Sequence, residues 1–249
     1  MTSSYAHRPL PGRPGVPTTE HPEVPASRTG LLAEARGVLQ LPRLLARSPR
    51  LTRMPRGDGA PVVDIPGWRT SEVSLAPLRA YLRWLGHDAH PWGLGVNIGE
   101  VETSAARLVP TVRERARSAG RPVALIGWSL GGVVARETAR VLGAGVVAQV
   151  ITLGSPIIGG PAFTAVAPRM SPQQRQRWVD RIEANERERP LDVPVTSIFT
   201  RRDAVVPWQA SLDHHSADVA HIEVGSTHLS LGVDPDVWEI IARRLGGHR

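Results

Sequence analysis

Cysteine and lysine are both absent from this chain of 249 residues. Without cysteine, the chain can form neither a disulfide framework nor a metal site with cysteine ligands, and the redox compartment is left open. All 30 basic residues are arginines, and together with 23 acidic residues they give a formal net charge of +7. Such a complete preference for arginine is typical of the codon composition of a GC-rich genome. We therefore do not interpret the charge as a nucleic-acid surface, and we expect no nucleic-acid partner.

Long hydrophobic runs are also missing. No stretch approaches the roughly 18 consecutive apolar residues of a membrane-spanning helix. No positively charged region followed by an apolar region marks a secretory signal peptide. We therefore expect a cytoplasmic protein, and the length is compatible with one α/β domain that has a large core.

The first 58 residues carry most of the excess charge. They contain nine arginines against four acidic residues, whereas the remainder of the chain is close to neutral. Residues 1–28 are rich in Pro, Ser, Thr and Gly and have almost no apolar content. This composition predicts a disordered tail.

Residues 29–58 are predicted to form a basic amphipathic helical arm. Apolar residues recur there at helical spacing among the arginines, with Pro42 and Pro49 as interruptions, so we expect one or two short helices. Packing of this arm on the body is one interpretation. The alternative is that residues 31–56 contact a membrane surface or a lipid interface.

In residues 59–249, predicted strands alternate with predicted helices, and this alternation is typical of an α/β fold with a parallel sheet. The segment 157–192 separates two of the strands and is predicted to be a small lid-like insertion with a charged helix. The predicted strands are Val62–Ile65, Asp88–Trp92, Val123–Ile126, Val146–Leu153, Val193–Phe199 and a short strand that starts near His221. The predicted helices outside the insertion follow these strands at Ser71–Leu85, Thr103–Ser118 and after the motif described next.

The most informative motif is G-W-S-L-G, which joins the strand Val123–Ile126 to a helical pattern. A serine forced into a sharp turn at the end of a strand stands clear of the sheet, so a carbonyl group can reach its Oγ atom. Gly127 and Gly131 are needed because a Cβ atom at either position would collide with the neighbouring strand or helix. The following helix directs its N-terminus toward the place where an oxyanion would form.

This arrangement resembles the nucleophile elbow of the α/β-hydrolase superfamily, and the chain looks like a compact lipase or esterase over roughly residues 60–246. The resemblance implies an α/β-hydrolase fold, with a mostly parallel sheet of about six strands flanked by helices and a small helical lid. It also implies that Ser129 is the nucleophile. A serine needs a general base and an acidic residue that orients the base.

The order Ser, Asp, His along the chain is that of the α/β-hydrolase fold. Asp203 comes just after an apolar strand, and His228 lies in a Gly-Ser-Thr turn after the last predicted strand. The resemblance implies that His228 is the general base and that Asp203 orients its imidazole. Other candidates are Asp213, Asp234, Asp236, His214, His215 and His221, of which Asp234 is more typical of a helix N-cap.

The loop after the first predicted strand reads I-P-G-W and ends at Trp68. In the superfamily that this chain resembles, this loop supplies one N–H of the oxyanion hole, and the residue after the nucleophile supplies the other. The resemblance therefore implies that Trp68 and Leu130 act through their main-chain N–H groups. The alternative is an ordinary Pro-Gly turn.

Together these motifs predict a serine hydrolase that cleaves carboxylic esters through an acyl-enzyme. We expect a small-molecule or lipid ester as substrate, and neither a metal nor an organic cofactor. An acyltransferase or thioesterase would use the same three residues, so both remain alternatives. A non-catalytic binding protein with a hydrolase fold is a third.

Overall fold

In the computed structural model, the described residues are Glu34, 40–165 and 167–246. The predicted tail at 1–28 lies outside them, as does most of the arm before residue 40. Within these ranges, no helix is long and apolar enough to cross a membrane. The predicted cytoplasmic location stays a prediction.

Six strands of the described residues form one sheet in the order β2-β1-β3-β4-β5-β6, and every neighbouring pair is parallel. The predicted sheet of about six mostly parallel strands is therefore confirmed. The strands are β1 (Pro61–Ile65), β2 (Asp88–Pro91), β3 (Val123–Trp128), β4 (Val147–Leu153), β5 (Val195–Phe199) and β6 (Val219–Glu223).

Helices connect these strands and cover both faces of the sheet. The described α-helices are α1 (Gln40–Leu51), α2 (Ala76–Leu85), α3 (Val101–Ala119), α4 (Leu130–Leu142), α5 (Pro172–Glu188) and α6 (Pro235–Gly246). Short 3-10 helices lie at Glu72–Leu75, Gly160–Phe163, Ala167–Arg169, Trp208–Ser211 and His228–Val233. The helix predicted from Ser71 thus begins as a 3-10 turn, because Pro77 in the first turn of α2 has no N–H to continue an α-helical ladder.

Strand β3 lies at the centre of the molecule, and all six of its residues are buried. Leu125 packs into a cluster with α3 and α4, whereas Ala124 and Ile126 pack on the opposite face with α2 and α6. This alternation follows from the two-residue period of a strand, and both faces need apolar side chains because both are covered. The residue that follows β3 is therefore held by two hydrophobic cores.

Helix α1, which lies in the predicted arm, packs against α6. Arg43 pairs with Asp234 and Asp236 at 3.2 and 2.7 Å, and Arg50 pairs with Glu239 at 2.6 Å. Leu51, at the end of α1, is buried in the body. The body therefore holds this part of the arm through both charge and apolar contacts.

Helix α1 contains both prolines. Pro42 lies in its first turn, where an N–H would have no partner in the helix. Pro49 lies two residues before its end and cannot bond to the carbonyl of Leu45, but the Ser48 hydroxyl donates to that carbonyl at 2.8 Å. The Leu45 carbonyl therefore has a donor although Pro49 supplies none.

The insertion 157–192 is tied to α4 by buried charges. Arg136 of α4 is 1% exposed; its Nε donates to Glu186 of α5 at 2.9 Å, and its Nη1 lies 2.8 Å from Asp213. Arg140 of α4 also pairs with Glu186. Burial acts to raise the pKa of Asp213, but the charge of Arg136 and hydrogen bonds from the following loop outweigh it and hold that pKa well below its ordinary value.

Candidate active site

The turn between β3 and α4 places Ser129 in a strained backbone conformation. Its φ is 54° and its ψ is −126°, a region that residues with a Cβ atom rarely adopt. The Ser129 N–H donates to the Leu153 carbonyl of β4 at 2.8 Å, which anchors the turn to the sheet. The side chain consequently leaves the sheet at its carboxyl edge and remains partly exposed.

The glycines of the motif allow three backbone segments to meet at this turn. A Cβ atom on Gly127 would lie 2.3 Å from Gly132 Cα, and one on Gly131 would lie 2.3 Å from the Ile65 carbonyl oxygen. Both distances are far below van der Waals contact, and the obstructing atoms are backbone atoms. The turn therefore has this shape only because these side chains are missing.

The structure brings Ser129, His228 and Asp203 together from the loops after β3, β6 and β5. Ser129 Oγ lies 3.0 Å from His228 Nε2, and His228 Nδ1 lies 2.7 Å from Asp203 Oδ2. Asp203 Oδ1 accepts hydrogen bonds from the N–H groups of Val205 and Val206 at 2.8 and 2.7 Å. A carboxylate that only accepts favours the Nδ1–H tautomer, which leaves Nε2 free to accept the serine proton.

The other acidic residues and histidines have different contacts. Asp213 pairs with Arg136, and its N–H donates to His221 Nε2 at 2.9 Å. Asp234 accepts from the N–H groups of Asp236 and Val237, so it caps α6 as its sequence position suggested. None of the hydrogen bonds among the described residues joins these groups to Ser129.

Two further side chains hold the loop of His228, and sequence reasoning did not identify them. The Trp128 indole N–H donates to the His228 carbonyl at 3.1 Å, and Thr200 Oγ1 donates to the Ser226 carbonyl at 2.7 Å. Nothing in the spacing of the motif indicates that its second residue reaches a loop 100 positions away.

The loop that carries Trp68 passes close to Ser129. A Cβ atom on Gly67 would lie 3.3 Å from Ser129 Cβ, so the backbone before Trp68 runs directly over the serine. Neither the Trp68 N–H nor the Leu130 N–H donates a hydrogen bond to another residue in the part of the chain that the structure describes. The predicted role of these two N–H groups as an oxyanion hole stays a prediction.

Asn97 supports that loop from below. Asn97 is 1% exposed, and its side-chain Nδ2 donates to the Pro66 carbonyl at 2.9 Å. Its main-chain carbonyl accepts from the Arg69 N–H at 2.7 Å. These bonds hold both sides of Trp68. No spacing rule links Asn97 to a loop 31 residues earlier, so the sequence does not indicate this role.

Among the described residues, no group of three or more His, Asp or Glu side chains could hold a metal ion. The polar groups that converge on Ser129 are one imidazole, one carboxylate and main-chain N–H groups. Such a set suits acyl transfer to an activated hydroxyl group.

Residues 103–241 match the PGAP1-like alpha/beta domain. The match spans 139 residues, which is more than half of the chain, and includes Ser129, Asp203 and His228. The chain belongs to the PGAP1-like alpha/beta domain family. The Trp68 loop precedes the matched segment of this PGAP1-like domain. Among curated proteins, none matches the sequence.

Solved structures of lipases and esterases share the fold of this PGAP1-like domain. A lipase from Bacillus licheniformis, BlEst2, is 15% identical over 78% of this chain and 94% of its own, with a TM-score of 0.59. The monoacylglycerol lipase of Paleococcus ferrophilus is 17% identical over 77% and 97%, with a TM-score of 0.55. Naproxen esterase from Bacillus subtilis is 12% identical over 77% and 88%, with a TM-score of 0.51. Identities this low show the fold alone, and the predicted α/β-hydrolase fold is confirmed.

Proposed function

We propose that this protein is a serine hydrolase that cleaves carboxylic esters. Ser129 is the nucleophile, His228 the general base and acid, and Asp203 the residue that orients the imidazole. The observation that carries the proposal is the hydrogen-bonded chain from Ser129 Oγ through His228 to Asp203, at 3.0 and 2.7 Å. The strained backbone of Ser129 adds support, because strain of this kind concentrates at functional sites.

In the proposed mechanism, Ser129 Oγ attacks the ester carbonyl carbon while His228 Nε2 takes the hydroxyl proton. The carbonyl oxygen becomes an oxyanion, which accepts hydrogen bonds from the N–H groups of Trp68 and Leu130. His228 then gives its proton to the departing alcohol, and an acyl-enzyme remains. Water attacks the acyl carbon, transfers a proton to His228 and releases the acid, after which the proton returns to Ser129.

The proposed substrate is an ester with an apolar portion, either a small molecule or a lipid. Trp68 is 38% exposed and Leu229, which directly follows His228, is 55% exposed. Both place apolar surface beside the proposed oxyanion site and base. The lipase and monoacylglycerol lipase that share the fold have names consistent with such substrates. Lipid contact by residues 31–56 stays a prediction.

Hydrolysis of p-nitrophenyl esters from acetate to palmitate tests the proposal. We expect hydrolysis that disappears in Ser129→Ala, with a short-chain optimum for an esterase and a long-chain optimum for a lipase. The same assay with an added alcohol or thiol acceptor detects acyl transfer, the activity of the alternative acyltransferase. Hydrolysis of an acyl thioester tests the alternative thioesterase. Folded wild-type protein that neither hydrolyses nor transfers any of these acyl groups would favour a non-catalytic binding protein.

Asn97→Ala should lower kcat about tenfold, because the Pro66 carbonyl loses its buried donor and the loop of Trp68 loosens. KM should change less, since the oxyanion exists only after attack has begun. Steady-state hydrolysis of p-nitrophenyl acetate measures both constants. Val96→Ala is the matched control, because Val96 is adjacent and 52% exposed. An unchanged kcat in Asn97→Ala would remove Asn97 from the support of this loop.

A further inference from the structure

Glu34 lies in the predicted arm, but the residue is only 3% exposed, and its carboxylate contacts the loops of the candidate site. Oε1 accepts from the N–H groups of Ala204 and His228 at 3.1 and 3.2 Å, and Oε2 accepts from the Leu229 N–H at 2.9 Å. The sequence separations are 170, 194 and 195 residues. One side chain from the front of the chain thus bridges two loops near its end.

These contacts are adjacent to the groups that take part in the proposed chemistry. Ala204 directly follows Asp203, and the other two donors are the N–H groups of His228 and of the residue after it. An ionised carboxylate forms stronger hydrogen bonds than a neutral acceptor and can serve several donors at once. A bridge between these loops therefore restrains the separation of Asp203 and His228.

We propose that Glu34 is a positioning residue that holds Asp203 and His228 in register, an inference that rests on the proposed serine-hydrolase function. Without the carboxylate, three main-chain N–H groups lose their acceptor and the two loops can separate. The 2.7 Å contact between His228 Nδ1 and Asp203 Oδ2 then lengthens, and the imidazole is less often aligned with Ser129 Oγ. Because Glu34 belongs to the arm, catalysis depends on the arm being docked.

The test compares steady-state ester hydrolysis by full-length wild type, Glu34→Ala and Glu34→Gln. We expect Glu34→Ala to lower kcat about 10- to 100-fold with little change in KM, because a small misplacement of catalytic groups slows the chemical step more than binding. Glu34→Gln keeps the shape and one acceptor oxygen, so its kcat should lie between the other two. Circular dichroism and thermal unfolding confirm that each variant is folded.

Arg50→Ala is the matched control, because Arg50 joins the arm to α6 through Glu239 and contacts neither loop. Its kcat should stay within about twofold of wild type, because Arg50 is partly exposed and Glu239 keeps its pair with Arg243. An equal loss in Arg50→Ala and Glu34→Ala would mean that Glu34 only docks the arm, which overturns the positioning role. Unchanged kcat in Glu34→Ala also overturns it.

A spectroscopic measurement gives a readout without substrate. The proton shared by His228 and Asp203 should give a far-downfield NMR resonance in wild type, and in Glu34→Ala this resonance should broaden or disappear through faster exchange with water. Inactive wild type that is not labelled by a serine-directed probe contradicts the proposed function and the role of Glu34 together. Active wild type with an unaltered resonance in Glu34→Ala contradicts the role of Glu34 alone.

Discussion

Replacing Ser129 with alanine should lower kcat for ester hydrolysis by about 10,000-fold or more. The substitution removes only the Oγ atom, which lies 3.0 Å from His228 Nε2 and is the proposed attacking atom. The main-chain N–H donors remain, so a small rate above that in water should persist. KM should change little, because the hydroxyl group contributes more to the reaction than to substrate binding. Retention of most of the activity would contradict the proposed nucleophile.

A second substitution at the same position separates chemistry from backbone strain. Ser129→Gly should be as inactive as Ser129→Ala, but it should be more stable than Ser129→Ala by roughly 1 kcal/mol. Glycine adopts φ of 54° without steric cost, and the relieved strain exceeds its extra entropy in the unfolded chain. Urea denaturation of the two variants measures the difference in the free energy of unfolding. A less stable glycine variant would show that the turn stores no such strain.

Replacing Arg136 with alanine should lower the free energy of unfolding by roughly 3–5 kcal/mol. Arg136 is 1% exposed, and its loss leaves Glu186 and Asp213 as buried charges without their main partner. Desolvation of an unpaired carboxylate costs more than an exposed ion pair ever contributes. Thermal and urea unfolding of the variant measure the loss.

Arg117→Ala is the matched control for Arg136→Ala. Its pair with Glu114 lies on the surface, with side chains that are 78% and 57% exposed, so the variant should change stability by less than about 0.5 kcal/mol. An equally small effect of Arg136→Ala would contradict the importance of the buried ion pairs. It would also remove the ground for a fixed position of the insertion 157–192.

The same ion pairs bear on the insertion 157–192, for which the sequence allows either a moving lid or a fixed flap. We propose a fixed flap, because opening α5 away from α4 would expose or unpair Arg136 and Glu186. A lid that opens in each turnover needs contacts that break at low cost. The buried charges of Arg136 and Glu186 each have several partners, so breaking their contacts is costly.

The sequence was informative about the sheet and the elbow because both depend on local constraints. Gly127 and Gly131 stand where a Cβ atom would meet backbone, and that requirement leaves a fixed spacing in the sequence. The order along the chain and the positions just after strands predict that Asp203 and His228 lie near Ser129, and the structure brings the three side chains together. Parallel strands bring such positions to one edge of the sheet.

Other contributions to the site could not be predicted, because they act through single hydrogen bonds between distant segments. Glu34 reaches the N–H of His228 across 194 residues, and Asn97 reaches Pro66 across 31. A glutamate in an arginine-rich arm and an asparagine in a glycine-rich loop are common in such segments. Their sequence positions therefore do not indicate a role in the site. The contact of the Ser48 hydroxyl with the Leu45 carbonyl, to which Pro49 cannot donate, is likewise not indicated by the sequence.

Labelling with a fluorophosphonate probe is the most direct test of an activated serine, because the probe reacts covalently with a nucleophilic hydroxyl group and needs no knowledge of the substrate. We predict that wild type gains one label, that peptide mass mapping places it on Ser129, and that Ser129→Ala gains none. Asp203→Asn should be labelled much more slowly, since its imidazole loses the acceptor that sets the tautomer. Folded wild type that stays unlabelled, or is labelled elsewhere, would contradict the account.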